Sequence, residues 1–164
     1  MTSQQFCTFF LDGYLFGVPV LQVQEVIRFQ PMTPVPLAPG AIEGLINLRG
    51  QIVVAINLRR RLGLGNRPEG ELPMNVVVRT DDGAVSLLVD EIGDVIEVEE
   101  STLESPPETL RGAVRFMILG VHKLENRLLH VLDTDRASQI SAAETAAAPA
   151  AQQSFESIAA YAGR

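Results

Sequence analysis

Three features of the sequence predict an all-β protein built from two small β-barrels packed side by side. Four turn-forming pairs each lie between two short apolar runs, as is typical of β-hairpins: Asp12-Gly13, Arg49-Gly50, Asp82-Gly83 and Glu125-Asn126. Helical periodicity is confined to brief pieces of the chain. The order of strands and turns in the first half recurs about 70 residues later in the second half.

The first half of the chain is expected to form five strands. Runs rich in Phe, Val, Ile and Leu lie on both sides of its two turn-forming pairs, and a further run begins at Val23. The strands are therefore expected at 5–11, 14–18, 23–29, 44–48 and 51–56. A helical turn is expected at 39–43, and a short helix at 58–62 ends this half.

The second half is expected to repeat this plan. Its strands are expected at 75–79, 84–89, 95–98, 117–121 and 127–132, followed by a helix at 133–139. Such an order of strands can close into a small barrel, which removes the free edges of the sheet. The first barrel should span about 5–63 and the second about 74–140, intertwined at their ends, within one domain of residues 1–140. The Gly- and Pro-rich stretch 63–73 is the expected connector.

The tail, residues 141–164, differs in composition from the rest of the chain. Its first part, 142–151, is almost entirely Ala, and we expect it to be a mobile linker. Beyond it, apolar side chains recur with the spacing of one helix face: Phe155, Ile158, Ala159 and Ala162. The sequence leaves two interpretations open, a passive tail and a short docking peptide.

Charge and composition exclude several classes of function. The chain has 13 Lys and Arg against 20 Asp and Glu, which gives a net charge of −7. Nucleic acid is therefore not an expected partner, because its phosphates require a strong basic surface. The N-terminus lacks the features of a signal peptide, and no apolar stretch is long enough to insert into a membrane, so a cytoplasmic location is expected. The single cysteine, Cys7, cannot form an internal disulfide.

The search for catalytic or metal-binding residues predicts none. The two histidines, His122 and His130, are expected on adjacent strands, but a metal site needs three or four ligands. Cys7 lies in an apolar strand with no histidine near it in sequence, so it is expected to be an inert thiol. No catalytic residue, metal or cofactor is therefore expected.

Two groups of arginines stand out against this background. The run of arginines at 59–61 admits a structural role at the end of a helix, or a binding surface for an acidic partner. Arg49 occupies the tip of a predicted hairpin, where Asn or Asp is more usual. This departure from turn chemistry marks Arg49 as a candidate binding residue.

The motifs of this chain resemble those of the CheW family, the coupling proteins of bacterial chemotaxis arrays. The segment GLINLRGQIVVAINLR at 44–59 resembles the family's G-x-x-N-L-R-G core, although Asn57 stands where the family usually has Asp. The segments VQEVI at 23–27, TPVP at 33–36 and VDEIGDV at 89–95 also resemble family motifs. Together these motifs cover about 5–140.

This resemblance implies a non-catalytic adaptor made of two SH3-like barrels. Such an adaptor joins a CheA-type histidine kinase to the cytoplasmic tips of methyl-accepting chemoreceptors, at membrane-associated arrays. By similarity, the kinase regulatory domain would dock on apolar residues of the first half: Cys7, Val20 and Val23. The receptor helical hairpin would lie in the groove between the barrels: near Glu25, Gly44, Arg49 and Gly50.

Two expectations complete this interpretation. Glu25 and Arg49 should face one another across adjacent strands as a partly exposed ion pair. The main alternative function is a β-barrel module that binds a small molecule or peptide and has no kinase partner. Association with the kinase distinguishes the two functions.

Overall fold

The computed structural model describes residues 2–106, 108 and 112–139. Its strands are β1 (Ser3–Leu11), β2 (Tyr14–Pro19), β3 (Val23–Ile27), β4 (Ile42–Leu48), β5 (Gln51–Asn57), β6 (Met74–Thr80), β7 (Gly83–Val89), β8 (Glu91–Glu99), β9 (Ile118–Lys123) and β10 (Leu128–Leu132). Its helices are α1 (Leu58–Arg61), α2 (Gly112–Met117) and α3 (Thr134–Ser138), with 3-10 turns at Val20–Gln22 and Glu100–Thr102.

The strands form two five-stranded sheets. Sheet 1 has the order β8-β1-β2-β10-β9, and sheet 2 has the order β3-β6-β7-β5-β4. In each sheet one pair is parallel, β2 with β10 in sheet 1 and β7 with β5 in sheet 2, and the other pairs are antiparallel. The prediction of an all-β chain with a repeated strand order is confirmed.

The division of the chain between the sheets differs from the expected one. Sheet 1 combines the first two strands of the chain with the last three, and sheet 2 takes the five strands between them. Barrels spanning about 5–63 and about 74–140, intertwined at their ends, would instead have taken most strands of each sheet from one half. Each half therefore contributes its opening hairpin to one sheet and its remaining three strands to the other.

The chain brings the two edges of each sheet together. In sheet 2, Thr33 follows edge strand β3 and pairs with Leu45 of β4 through two backbone hydrogen bonds of 2.9 and 2.8 Å. In sheet 1, Glu104 follows edge strand β8 and pairs with Val121 of β9 in the same way, at 2.8 Å in both directions. Each of these bridges pairs part of the backbone of one edge strand, β4 or β9.

A large apolar core lies between the sheets, and each sheet has a smaller cluster on one of its faces. Strand β1 shows how one strand serves two cores, because its side chains alternate between its faces. Phe9 and Leu11 of β1 belong to the central core, whereas Phe6 and Phe10 pack into the cluster of sheet 1. The sheet 2 cluster is built on Ile46, Ala55 and Leu88.

Several element boundaries differ from the predicted ones. Helix α2 was not predicted, and the strand expected at 117–121 begins only at Ile118. Strand β8 begins at Glu91, earlier than the expected 95–98, and β3 ends at Ile27. The expected helical turn at 39–43 is a single turn, in which the Ile42 N–H donates to the Pro39 carbonyl before β4 begins.

The two predicted helices after the hairpins are present and begin in the same manner. The side chain of Asn57 accepts from the Arg60 N–H at the start of α1, and that of Asp133 accepts from the Arg136 N–H at the start of α3. Asn and Asp are both favourable N-caps, so Asn57 preserves the helix start. No helix among the described residues is long and apolar enough to cross a membrane. The tail interpretations concern residues outside the described part of the chain.

Candidate functional site

Arg49 and Gly50 form the tip of the β4–β5 hairpin in the left-handed backbone region. Their φ angles are +53° and +88°, as in a type I′ turn, which matches the twist of paired strands. The Asn47 side-chain oxygen accepts a 2.9 Å hydrogen bond from the Gly50 N–H. Asn-Gly is the usual pair in this turn, and an arginine with positive φ is costly. The turn thus exposes Arg49 in a backbone conformation that is energetically unfavourable for arginine.

Arg49 pairs with Glu25 at 2.9 Å, so the expected ion pair forms, but the expectation that it joins adjacent strands is wrong. Glu25 lies on β3 and Arg49 at the end of β4, the two edge strands of sheet 2. The ion pair therefore links the two edges of the sheet through side chains. The Arg49 side chain is 83% exposed and that of Glu25 only 18%, so the arginine faces solvent while Glu25 holds it in place.

Gly44 has a different place from the exposed tip. It is buried in β4, and a Cβ there would lie 2.7 Å from the Thr33 carbonyl oxygen. Gly120 occupies the matching position in sheet 1, where a Cβ would lie 2.7 Å from the Glu104 carbonyl oxygen. The absence of a side chain at Gly44 therefore lets the segment at Thr33 pack closely against β4. Arg49 and Gly50, in contrast, are exposed.

Cys7, Val20 and Val23 are each half-buried at the junction of the two sheets. Cys7 lies in β1 between Val18 and the exposed Val95 of the neighbouring strands, and it packs against the central core with Val23 of β3. Val20 opens the 3-10 turn that joins β2 of sheet 1 to β3 of sheet 2. Burial raises the pKa of the Cys7 thiol, which keeps it protonated and unreactive.

Two exposed apolar residues beside these three were not predicted. Leu21 lies in the same 3-10 turn as Val20 and is 90% exposed. Val95 lies opposite Cys7 on β8. Leu21 lies next to Val20 in a mostly apolar stretch, so no local pattern marks it as exposed. The pairing of Val95 with Cys7 depends on a strand register that the sequence does not reveal.

The arginine run at 59–61 is largely structural, so its interpretation as a surface for an acidic partner is wrong for two of its three residues. Buried Arg59 forms a 2.6 Å ion pair with Asp90, and Arg67 lies 3.1 Å from the same carboxylate. Buried Arg61 donates to backbone carbonyls at the end of α3. Arg60, which is more exposed, lies 3.5 Å from Glu43.

Asp90 links the two sheets electrostatically. It follows β7 of sheet 2, precedes β8 of sheet 1 and accepts from the Asp12 backbone N–H at 2.8 Å. Burial alone would raise the pKa of Asp90, but its hydrogen bonds with Arg59 and Asp12 lower it below the ordinary value. The carboxylate is therefore held in its charged form.

The histidines lie on adjacent strands, as predicted, but the Nδ1 atom of each has a hydrogen-bond partner within the protein. His122 Nδ1 lies 2.9 Å from the Thr102 hydroxyl, and His130 Nδ1 lies 2.7 Å from the Leu15 carbonyl oxygen. Burial lowers the pKa of both rings. Within the described part of the chain, no three His, Cys, Asp or Glu residues are grouped as metal ligands.

An open cleft of about 880 Å³ lies between the β1–β2 and β9–β10 hairpins. Phe10, Tyr14 and Leu15 line one side, and the charged residues Lys123, Glu125 and Arg127 line the other. The Arg127 guanidinium lies 5.3 Å from the centre of the Phe10 ring, within the range of a cation–π contact. Apolar groups beside charged groups of both signs suit a peptide better than a small apolar molecule.

Comparison with known proteins gives consistent matches. A family model described as a CheW-like domain matches residues 5–141. The chemotaxis protein CheW of Bacillus subtilis is 36% identical over 137 residues, covering 82% of this chain and 86% of the relative. That of Treponema pallidum is 32% identical over 133 residues, covering 79% and 78%. The crystal structure of the scaffolding protein TtCheW from Thermoanaerobacter tengcongensis matches with a TM-score of 0.78 at 26% identity, covering 86% of this chain and 96% of that one.

Proposed function

Because this chain belongs to the CheW-like family of chemotaxis scaffold proteins, we propose that it couples a histidine kinase to the cytoplasmic tips of chemoreceptors. The observation that carries this proposal is the Arg49 tip. An exposed arginine in a costly backbone conformation, held by Glu25, contributes little to folding and fits recognition of a partner.

Two surfaces of different chemistry, which meet at β3, give the chain the form of an adaptor. The apolar surface at Cys7, Val20 and Val23 suits the kinase regulatory domain, because half-buried apolar side chains are inexpensive to desolvate. The polar surface at Glu25, Arg49 and Gly50, with Gly44 beneath it, suits the receptor hairpin. Occupancy of one surface can then change affinity at the other through a coupling free energy, without catalysis. Such a protein would act in the cytoplasm, at membrane-associated receptor arrays.

Reconstitution tests the proposal directly. Kinase, receptor cytoplasmic fragments and this protein are combined, and kinase autophosphorylation is measured with and without the protein. The proposal predicts receptor-dependent control of the kinase only when the protein is present. Arg49→Glu should remove receptor dependence while the protein still binds the kinase, and equal kinase output in all mixtures would contradict the proposal.

The cleft beside Phe10 and Arg127 favours one second candidate, a peptide-binding module without a kinase partner. A pull-down with the kinase regulatory domain separates the two functions. The adaptor should be retained by the kinase, whereas the peptide module should not.

A further inference from the structure

The loop before β4 is an uncharged surface in an acidic protein. We call residues 31–41 the proline loop, because prolines occupy positions 31, 34, 36 and 39. The loop contains no charged residue, although the whole chain carries a net charge of −7. Its five residues 33–37 are all exposed. An exposed stretch that lacks charge is typical of a contact surface.

Leu37 holds an unusual conformation within the proline loop. The Ala38 N–H donates to the Val35 carbonyl at 3.3 Å, which closes a turn with Pro36 and Leu37 at its centre. Pro36 fits the first central position, and Leu37 has a φ of +60° at the second, as in a type II turn. That position normally takes Gly or Asn, because other side chains are strained there.

The Leu37 side chain is not buried in the fold, so burial does not offset this strain. Its relative exposure is 105%, the value of a side chain that lies fully in solvent. The loop around it is nevertheless fixed at both ends. Thr33 pairs with Leu45, and the Gly40 carbonyl accepts a 3.0 Å hydrogen bond from Arg60. A fixed loop that presents an apolar side chain can bind a partner with little loss of conformational entropy.

The position of the loop indicates which partner it serves. Strand β4 begins beside the proline loop at Ile42 and ends beside Arg49. Its seven residues span about 20 Å. A helix of about 13–14 residues has the same length. Between the two ends, Gly44 lets the loop lie directly on β4.

We infer that Leu37 is a second anchor for the receptor hairpin, which lies along β4 with Arg49 at one end and Leu37 at the other. Leu37 enters an apolar crevice between the two receptor helices. This inference rests on the proposed function, since it assigns a further contact to the same receptor surface. The kinase surface at Val20 and Val23 adjoins Glu25 at the start of β3 and does not include Leu37.

Two substitutions test the anchor without endangering the fold. Leu37→Asn and Leu37→Gly remove the apolar side chain and introduce residues that accept a positive φ. Leu72→Asn is the matched control, because Leu72 is also exposed, at 64%, but lies in the connector between the halves. Affinities for a receptor cytoplasmic fragment and for the kinase regulatory domain are measured by titration calorimetry, and melting temperature by circular dichroism.

Both Leu37 variants should bind the receptor fragment at least about tenfold more weakly, the effect of losing one buried leucine contact. Their kinase affinity should be unchanged, and their melting temperature should equal or exceed that of the natural protein. Leu72→Asn should leave both affinities unchanged.

Other results overturn the inference in distinguishable ways. Unchanged receptor affinity in both Leu37 variants, with loss in Arg49→Glu, would leave the proposed function standing and remove Leu37 from the site. Weakened kinase binding, with normal receptor binding, would assign Leu37 to the kinase instead. Failure of the natural protein to bind either partner would reject the proposed function together with the anchor.

Discussion

Arg49 and Glu25 form an ion pair between the two edge strands of one sheet, with a nitrogen–oxygen distance of 2.9 Å. The pair lies at the surface, so solvent screens its charges. Arg49→Glu should therefore change the free energy of unfolding by no more than about 1 kcal/mol. We expect the same substitution to weaken receptor binding, measured by titration calorimetry alongside thermal unfolding.

The charge-swapped double variant Glu25→Arg/Arg49→Glu provides the control for this prediction. It keeps an ion pair but exchanges the exposed charge, so it should fold normally and still bind the receptor poorly. If Arg49→Glu unfolds the protein, or binds both partners normally, Arg49 has been assigned the wrong role.

Val20 is expected to serve kinase binding more than folding. Val20→Asp places a carboxylate at a half-buried position of the 3-10 turn, where solvent remains accessible. The variant should fold and lose at least about tenfold in kinase affinity, because the interface would then bury an unpaired charge. Circular dichroism and a kinase pull-down test this. An unfolded variant would place Val20 in the core and move the interface elsewhere.

The tail is expected to be dispensable for both partners. The segment 152–162 is shorter than the about 12–15 residues that an isolated helix needs to persist in water. Truncation after Ile140 should therefore leave kinase and receptor affinities equal to those of the full chain in parallel titrations. Loss of either interaction would show that the tail is a docking peptide.

Asp90 should be one of the most sensitive charged positions in the protein. Asp90→Asn removes a largely buried carboxylate that faces Arg59 and Arg67, and it leaves the two guanidinium groups without their counter-charge. We expect a loss of about 3 kcal/mol in urea unfolding at pH 7. Glu43→Gln, which breaks the more exposed pair with Arg60, should cost less than about 1 kcal/mol.

The effect of Asp90 should depend on pH with a definite sign. Its pKa is lowered in the folded state, so its contribution is complete above the unfolded pKa of about 3.9 and is lost as pH falls through the folded value. The difference between the natural protein and Asp90→Asn should thus shrink below about pH 4. A difference that stays constant down to pH 2 would refute the assignment.

The buried histidines predict a second pH dependence, at milder pH. Burial lowers the pKa of His130, partly opposed by its hydrogen bond with Leu15, and burial also lowers the pKa of His122. The unfolded chain therefore takes up more protons below about pH 6.5, and stability should fall as pH decreases from 7 to 5.5. Urea unfolding at successive pH values measures this, with histidine NMR resonances as a check. Constant stability over this range would contradict the prediction.

The hairpins and the repeat could be predicted because their signals are local. Asp12-Gly13 and Arg49-Gly50 adopt the positive φ angles that their hairpin positions imply. The Glu25–Arg49 pair was predicted from the family resemblance. In contrast, α2 contains Val114 and Phe116, which are more typical of strands, so tertiary packing overrides local preference there.

The exchange of strands between the sheets could not be predicted from the sequence. Two barrels that each keep the strands of one half, and two sheets that exchange hairpins, have the same order of strands and turns along the chain. Only contacts between distant residues distinguish the two arrangements. The burial of Asp90 was missed for the same reason. Its partner Arg59 lies 31 residues away, and Asp90 itself stands beside Glu91 at a polar strand end.

The exchange of strands also bears on how the protein assembles and how it could have arisen. Since β1 pairs with β8 and β2 with β10, sheet 1 cannot be completed until nearly the whole chain has been synthesised. Contacts between such distant segments slow folding, because long loops must close first. Cleavage in the connector 63–73 should yield two complementary fragments rather than two independent barrels. Duplication of an ancestral unit, followed by exchange of hairpins between the two copies, would give the same arrangement. Each sheet of such a protein would need both copies from its origin.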